Sequence, residues 1–231
     1  MRLRHPLVPP HIRLEWMPLD PSGSAVAPFC LPSTRQAPSA ADRGAHREQM
    51  RRSGDRLFQE LAAGLPGEAN SLHLERREMQ RPRLWKGGSE WPVSLSHTSQ
   101  LIAAALSSRT AEWVGIDVER VDRAVPGRLR SRILHPAEEG DGIANRTPLI
   151  RIWTAKEAAL KWAGTGLREP MTGVLLNWRS PGCIEALFRN GMRLEIRSFV
   201  LNEHWISLAF GQRFSADAYS LDDTGSGGAI H

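Results

Sequence analysis

The sequence predicts an α+β fold made of two similar halves, because a helix followed by strands occurs twice along its 231 residues. This length suits one large domain or two small halves that share a core, and 41% of the residues are hydrophobic. We expect each half to pack a small antiparallel sheet against a long helix. The predicted boundaries are 1–108 for the first half, 109–216 for the second, and 217–231 for a loose tail rich in Ser, Gly and Asp.

The first half begins with a segment that favours no long element. Repeated prolines interrupt residues 1–42, so only strand fragments and loop are expected there. From Asp42 to Gly64, apolar residues such as Leu57 and Leu61 keep a helical spacing, which predicts an amphipathic helix with a basic face. Alternating apolar residues then predict three strands, the last two joined by a turn, at 72–76, 92–97 and 100–106.

The second half is predicted to hold one long helix between strands. A strand at 113–121 precedes a short helix at 127–139 that breaks near Pro136, and then a loop at 140–146. Thr147 as N-cap and Pro148 at the first helical position predict a helix that ends at Gly164. Four alternating segments predict antiparallel strands, at 174–178, 184–188, 194–200 and 205–210.

Composition excludes several classes of protein. No apolar run approaches the roughly 18 residues of a transmembrane helix, and prolines follow the charged N-terminus where a secretory signal would be apolar. The two cysteines, Cys30 and Cys183, lie too far apart for a disulfide framework, and no metal-type Cys/His spacing, GxGxxG or P-loop occurs. We therefore expect a cytoplasmic protein. Its 30 Lys and Arg against 25 Asp and Glu, a net charge of +5, favour anionic partners.

Two carboxylates share one face of the strand predicted at 113–121. Alternate residues of a strand point the same way, so Asp117 and Glu119 lie on one face while Ile116 and Val118 point into a core. Two adjacent carboxylates repel each other, which a bound hard cation, a raised pKa or exposure to solvent relieves. Taken alone, the pair favours a solvated strand face over a functional site.

The long helix carries a second group of polar residues. Glu157 and Lys161 lie one turn apart on one face, with Trp153 a turn earlier on that side. An ordinary ion pair between Glu157 and Lys161, or a capping box of Thr154 and Glu157, explains this segment in isolation. However, only three lysines occur in a chain that otherwise uses Arg, and two of them, Lys156 and Lys161, lie here. A compact ammonium group suits a phosphate.

A third segment, 93–98, places His97 among hydroxyl residues at the end of a predicted strand. A structural histidine is one interpretation. The other is a contact with a phosphate or nucleotide, to which His97 and Ser96 would both donate hydrogen bonds.

The chain thus has SLSH at 94–97, GIDVE at 115–119 and WTAKEAALK at 153–161. In this order the segments resemble the phosphopantetheinyl transferase superfamily, whose motifs run approximately SxSH, GIDxE and W-(S/T/C)-x-K-E-(A/S)-x-x-K. Arg81 and Pro82 resemble the (K/R)-P element that the family places before the histidine motif. In length the chain is similar to the larger, monomeric, pseudo-dimeric type that activates synthetases and synthases.

This resemblance implies a metal and a reaction. Asp117, Glu119 and Glu157 would surround a Mg²⁺ ion that also binds the pyrophosphate of coenzyme A, in a cleft between the two halves. A serine of an apo carrier protein would attack the β-phosphate, accept phosphopantetheine and release adenosine 3′,5′-bisphosphate. Glu157 would act, directly or through water, as general base for that serine, and Lys161 would neutralise charge on the phosphate and the leaving group.

The resemblance also implies residues that bind the nucleotide. Ser96 and His97 would hold the 3′-phosphate, Arg81 would lie along the adenine or phosphate side, and Lys156 would reach a phosphate or only solvent. Arg43, Arg47 and Arg51 recur every four residues on the first helix; they form either a further nucleotide-binding patch or a solvated basic face.

The implied partner is an acyl or peptidyl carrier domain of fatty-acid, polyketide or nonribosomal-peptide synthesis. Such domains tend to be acidic, so a chain of net charge +5 would attract them. Two alternatives remain. The Arg content and eight tryptophans also suit a nucleic-acid-binding protein, although paired carboxylates do not. The second alternative is an inactive relative of the transferases that serves as an interaction protein.

Overall fold

A computed structural model describes residues 4–19, 40–68, 71–76, 80–140 and 142–212, with backbone alone at 40–43, 45–47, 143 and 167. These residues form several small antiparallel sheets and a few helices, which confirms the predicted α+β class. Within them, no helix is both long and apolar enough to cross a membrane. The predicted tail at 217–231 lies outside the described residues.

The N-terminal part forms two three-stranded sheets and one helix. One sheet has the order β1-β6-β5 and the other the order β2-β3-β4. The elements are β1 (Ile12–Pro18), α1 (Ala40–Ala62), β2 (His73–Glu75), β3 (Arg83–Lys86), β4 (Ser89–Trp91), β5 (Val93–His97) and β6 (Leu101–Ser107).

Helix α1 packs its apolar face on strand β6. Leu57, Phe58 and Leu61 are fully buried against Ile102 and Leu106, as their spacing predicts. Two cations from neighbouring strands donate to carbonyl groups at the end of the helix. Arg13 donates to Leu61 and Gly64, and Lys86 donates to Ala62.

The C-terminal part forms a five-stranded sheet of order β7-β11-β10-β9-β8, which packs against one long helix. A 3₁₀ turn at 127–129 follows β7, and further 3₁₀ turns at 166–168 and 171–173 follow the long helix. The elements are β7 (Glu112–Arg120), α2 (Arg130–Ile133), α3 (Pro136–Glu139), α4 (Gly142–Arg146), α5 (Leu149–Ala163), β8 (Val174–Ser180), β9 (Cys183–Phe188), β10 (Arg193–Leu201) and β11 (His204–Gln212).

Helix α5 lies where its sequence predicts, with one difference at its start. Pro148, not Thr147, occupies the N-cap position, and no side chain caps the helix there. The predicted end is confirmed, because Gly164 adopts the left-handed conformation (φ 76°) that few other residues tolerate. Its buried face, which includes Ala155 and Trp162, packs on the five-stranded sheet.

The two parts of the chain share a buried layer. Every residue of β6 is buried, because one face of this strand contacts α1 and the other contacts β7. Leu101 and Ala103 of β6 belong to the same apolar cluster as Ile116 and Val118 of β7. This contact sets β5, the neighbour of β6, beside the strand that carries the paired carboxylates.

The structure differs from the sequence prediction in some short elements. Residues 142–146, predicted as loop, form helix α4. The proline-rich opening, where strand fragments and loop were expected, contains the seven-residue strand β1, which ends at Pro18. Strands β3 and β4 were not predicted, because each is too short to establish an alternating pattern.

Candidate functional site

Strand β7 directs Asp117 and Glu119 toward helix α5. Ile116 and Val118 are buried in the core between the sheets, so Asp117 and Glu119 point to the opposite face, as their alternation predicts. Asp117 is itself 6% exposed, while Glu119 is partly exposed. The carboxylate pair is therefore not a solvated strand face.

Helix α5 brings a lysine and a third carboxylate to the same place. Lys161 Nζ lies 2.8 Å from Asp117 Oδ1, to which it donates, and also donates to the carbonyl oxygen of Ile116 at 3.1 Å. Glu157, one turn earlier, is 8% exposed and interacts electrostatically with both Asp117 and Glu119. The structure thus brings together the four residues that the sequence predicts at the reaction centre.

The carboxyl group of Asp117 is held at one oxygen only. Its Oδ1 atom accepts hydrogen bonds from Ser96 Oγ at 2.8 Å and from Lys161. Its Oδ2 atom is buried and has no hydrogen-bond partner. A buried oxygen without a partner costs roughly 1–3 kcal/mol, so this atom is suited to an additional ligand.

The pKa values of the other two carboxyl groups reflect their crowding. Burial, reinforced by the charges of Asp117 and Glu119, raises the pKa of Glu157 to about 7, against the opposing effect of Lys161 and Arg123. Burial, reinforced by Asp117, likewise raises the pKa of Glu119, although a hydrogen bond from Arg123 opposes the rise. Negative charge is therefore costly here at neutral pH.

These side chains fit a hard divalent cation. Mg²⁺ prefers oxygen ligands, and a cation would relieve the repulsion among the carboxylates and give Asp117 Oδ2 a partner. The carboxylates are not already gathered around one point. Glu119 accepts from Arg123, and within the described part of the chain no three Asp, Glu, His or Cys side chains lie at metal-ligand spacing. Binding a cation with all three would require these carboxylates to move closer together.

Two cavities lie beside the site, one lined by Lys161 and the other by Glu119. The first, of about 360 Å³, is lined by Arg81 and Lys161 together with Gly164 and Gly166 at the end of α5. The second, of about 560 Å³, is lined by His97 and Glu119 and by polar residues of the adjacent turns, namely Thr98, Ser99, Arg120, Asp122 and Arg123. Cationic and hydroxyl groups in both cavities are suited to anionic oxygens.

Ser96 faces the interior of the protein and lines neither cavity. Its side chain is 5% exposed, and its hydroxyl donates to Asp117 and accepts from the backbone N–H of Val118. The one donor of Ser96 is therefore used inside the protein. His97, the next residue, points the other way and is exposed in the second cavity.

Lys156 lies in the core, out of reach of solvent, contrary to the expectation from the sequence. Its side chain is 0% exposed and forms an ion pair with Glu138 Oε2 at 2.6 Å. Its Nζ atom also donates to the carbonyl oxygens of Ile133 and Met171. Lys156 therefore ties α5 to the segments on either side of it, on a different face from Lys161.

Arg81 has a structural contact as well as a place in the first cavity. Its guanidinium lies 3.9 Å from the ring centre of Trp113 and donates to the carbonyl oxygens of Lys161 and Trp162 at the end of α5. The side chain of Arg47 lies outside the described residues. Arg51, which belongs to the same predicted patch, pairs with Glu48 and Asp55 on the exposed surface of α1.

Arg123 is a site residue that the sequence did not reveal. It bonds to Glu119 four residues earlier, and its guanidinium lies 5.6 Å from the ring centre of Trp153 on α5. It thereby connects the acidic strand to the first turns of the helix. The only sequence signal was its position four residues after Glu119. That spacing predicts a contact in a helix but not at the end of a strand.

Comparison with known proteins agrees with the site. Residues 113–220 match the model of the 4′-phosphopantetheinyl transferase superfamily. The matched part of the chain carries Asp117, Glu119 and the whole of α5, and it is similar to domains that transfer phosphopantetheine. A search of the curated proteins returned no match.

Proposed function

We propose that the protein transfers 4′-phosphopantetheine from coenzyme A to a serine of an acidic apo carrier domain, with the help of Mg²⁺. The observation that carries this proposal is the contact of Lys161 with Asp117 beside the carboxylates of Glu119 and Glu157. An N-terminal part that packs on the superfamily domain supports the larger, pseudo-dimeric type acting as a monomer.

In the reaction, the serine oxygen of the carrier forms a bond to the β-phosphorus of coenzyme A. The bond from that phosphorus to the bridging oxygen breaks, and adenosine 3′,5′-bisphosphate leaves. Glu157 accepts the serine proton, directly or through water, from its place beside Asp117 and Lys161.

Lys161 opposes the negative charge that develops on the phosphate oxygens and on the leaving group. The residue is suited to this role because its ammonium is fixed by Asp117 and by the carbonyl oxygen of Ile116, so little reorganisation is needed during the reaction. When bound by Asp117, Glu119 and Glu157, Mg²⁺ would supply electrophilic stabilisation of the pyrophosphate.

Coenzyme A would occupy the two cavities that Lys161 and Glu119 line. His97 in the second cavity offers a ring N–H donor for the 3′-phosphate, and Arg81 lines the first cavity. A substrate that extends from one cavity to the other would carry its pyrophosphate past Lys161.

The carrier would dock beside Trp153. A groove of about 530 Å³ has an apolar floor that includes Trp153, Leu129 and Met171, and Arg132 lies at its edge. Arg128 and Arg132 are exposed along this segment. An apolar groove with a basic rim, one helical turn from Glu157, fits an acidic amphipathic helix that presents the reacting serine.

Kinetics of two variants test the roles of Glu157 and Asp117. We expect E157Q to lower kcat by about 100-fold or more while coenzyme A binding changes little, since a general base acts in the transition state. We expect D117N to abolish Mg²⁺ binding by calorimetry. Equal losses of turnover and of coenzyme A binding in E157Q would contradict the assignment of Glu157 as base.

A further inference from the structure

Two serines of β5 join the N-terminal and C-terminal sheets. β5 and β7 are edge strands of different sheets and form no backbone ladder with each other. Ser94 Oγ instead accepts from the backbone N–H of Ile116 at 3.0 Å, and Ser96 Oγ accepts from that of Val118 at 3.3 Å. Both serines are 5% exposed. Every second residue of a strand points the same way, and every second N–H group of β7 points away from its own sheet. The two serines of the SLSH segment, two residues apart, therefore meet two successive N–H groups of this kind.

The two hydroxyls differ in one respect that concerns the site. Ser96 Oγ also donates to Asp117 Oδ1 at 2.8 Å, whereas Asp117 accepts its other hydrogen bond from Lys161. A hydroxyl has one donor, so Ser96 cannot hold Asp117 and a phosphate oxygen at once. With Oδ1 fixed by two donors, the buried Oδ2 atom is the one left for a further ligand.

We propose that Ser96 is a positioning residue for Asp117, and that the nucleotide phosphate is not its ligand. It holds the carboxyl group in the orientation that leaves Oδ2 for the metal. Ser94 makes the equivalent hydrogen bond between the sheets but does not contact the carboxylate. The inference rests on the proposed function, because it assigns the metal to Asp117. Partners that orient a metal ligand typically change metal affinity by about 10- to 100-fold.

The matched variants S96A and S94A separate these roles. Each removes one buried acceptor of a β7 N–H group, but only S96A removes the donor to Asp117. By calorimetry of the full chain, we expect S96A to weaken Mg²⁺ binding about tenfold and S94A less than about threefold. In EDTA, S96A should bind coenzyme A as the wild type does. Equal Mg²⁺ affinities of the two variants, or weaker coenzyme A binding by S96A in EDTA, would overturn the proposal.

A double-mutant cycle tests the hydrogen bond without metal or transfer. In EDTA, the unfolding equilibrium constants of the wild type, S96A, D117A and the double variant should show a coupling of about tenfold, since hydrogen bonds to charged groups are strong. The same cycle with S94A should show less than about twofold.

The outcomes of this cycle are distinct from a failure of the proposed function. A wild type that binds no Mg²⁺ and transfers nothing would reject the function, yet the coupling would still report whether Ser96 holds Asp117. A cycle without coupling overturns the inference. If S96A does not fold, S96T, which keeps a hydroxyl, takes its place: it should bind Mg²⁺ as the wild type does, and tenfold weaker binding would contradict the positioning role.

Discussion

Gly115 of β7 lies directly beneath Trp162 of α5. A methyl group at Gly115 would overlap the carbonyl oxygen of Ala158 and lie 2.5 Å from the backbone nitrogen of Trp162. The backbone of α5 is therefore in close contact with β7 at Gly115, the first residue of the GIDVE segment. This close approach lets Lys161, the neighbour of Trp162, reach Asp117, two residues along the strand.

Substitution of Gly115 should therefore damage both stability and the site. We expect G115A to lower the free energy of unfolding by about 2–3 kcal/mol, because the helix must move away from the strand to admit the methyl group. Urea denaturation measures this loss. The control is G127A, where an added methyl group meets no atom within 4 Å and the change should stay within about 0.5 kcal/mol. Equal stabilities of the two variants would refute the close contact.

The buried pair of Lys156 and Glu138 should be structural rather than catalytic. K156M leaves the Glu138 carboxylate buried and uncompensated, so the free energy of unfolding should fall by about 3–5 kcal/mol. The double variant K156M/E138Q removes that charge and should recover part of the loss. Thermal unfolding measures the loss of stability, and coenzyme A binding to the folded fraction shows whether Lys156 has a role in the nucleotide site. Weaker coenzyme A binding by a folded K156M protein would restore Lys156 to the nucleotide site.

The raised pKa of Glu157 predicts how stability depends on pH. The folded protein holds the Glu157 proton up to about pH 7, whereas a free carboxyl group loses it near pH 4.5. Stability from this group is thus complete below pH 4.5 and is lost as the pH rises through 7. In EDTA, E157Q should escape this loss and be about 2–3 kcal/mol more stable than the wild type at pH 8, with a smaller difference at pH 4.5.

Urea denaturation at the two pH values measures this effect. E139Q, which alters an exposed carboxylate, should follow the wild type at both. If the difference in free energy of unfolding between E157Q and the wild type does not widen as the pH rises, the pKa of Glu157 is not raised. Added Mg²⁺ should narrow the gap at pH 8, because a cation stabilises the ionised form.

Carrier docking should depend on the basic rim of the groove beside Trp153. We expect R132E to raise the KM for an acidic carrier by about tenfold and to leave the KM for coenzyme A unchanged, with the difference shrinking as salt is added. R56E is the control, since Arg56 lies on α1 and pairs with Glu60. Steady-state kinetics at two salt concentrations distinguish them. An equal effect of both reversals would point to net charge rather than to a docking surface.

Periodicity predicted the elements that hold the site. The alternation at 113–121 and the apolar spacing at 149–162 are long enough to fix β7, α5 and the faces of Asp117, Glu119 and Glu157. Short elements such as β3 and α4 depend on contacts between distant segments, which spacing does not record.

The lysines show where sequence reasoning about the site stops. All three donate to backbone carbonyl oxygens, as a compact ammonium with three donors can, but only Lys161 also contacts a site carboxylate. Lys156 and Lys161 are five residues apart, and that rotation around the helix sends one into the core and the other to Asp117. The rarity of lysine in the sequence could draw attention to Lys156 and Lys161, but it could not show that one is buried and the other contacts Asp117.

Intact-protein mass spectrometry is the most direct test of metal-dependent transfer at Asp117. A promiscuous apo carrier protein is incubated with the chain, coenzyme A and Mg²⁺, with EDTA and the D117A variant as controls. We expect a mass gain of one phosphopantetheine group with the wild type and Mg²⁺, and none in either control. No gain with several carriers and a folded wild type, or an undiminished gain with D117A, would contradict it.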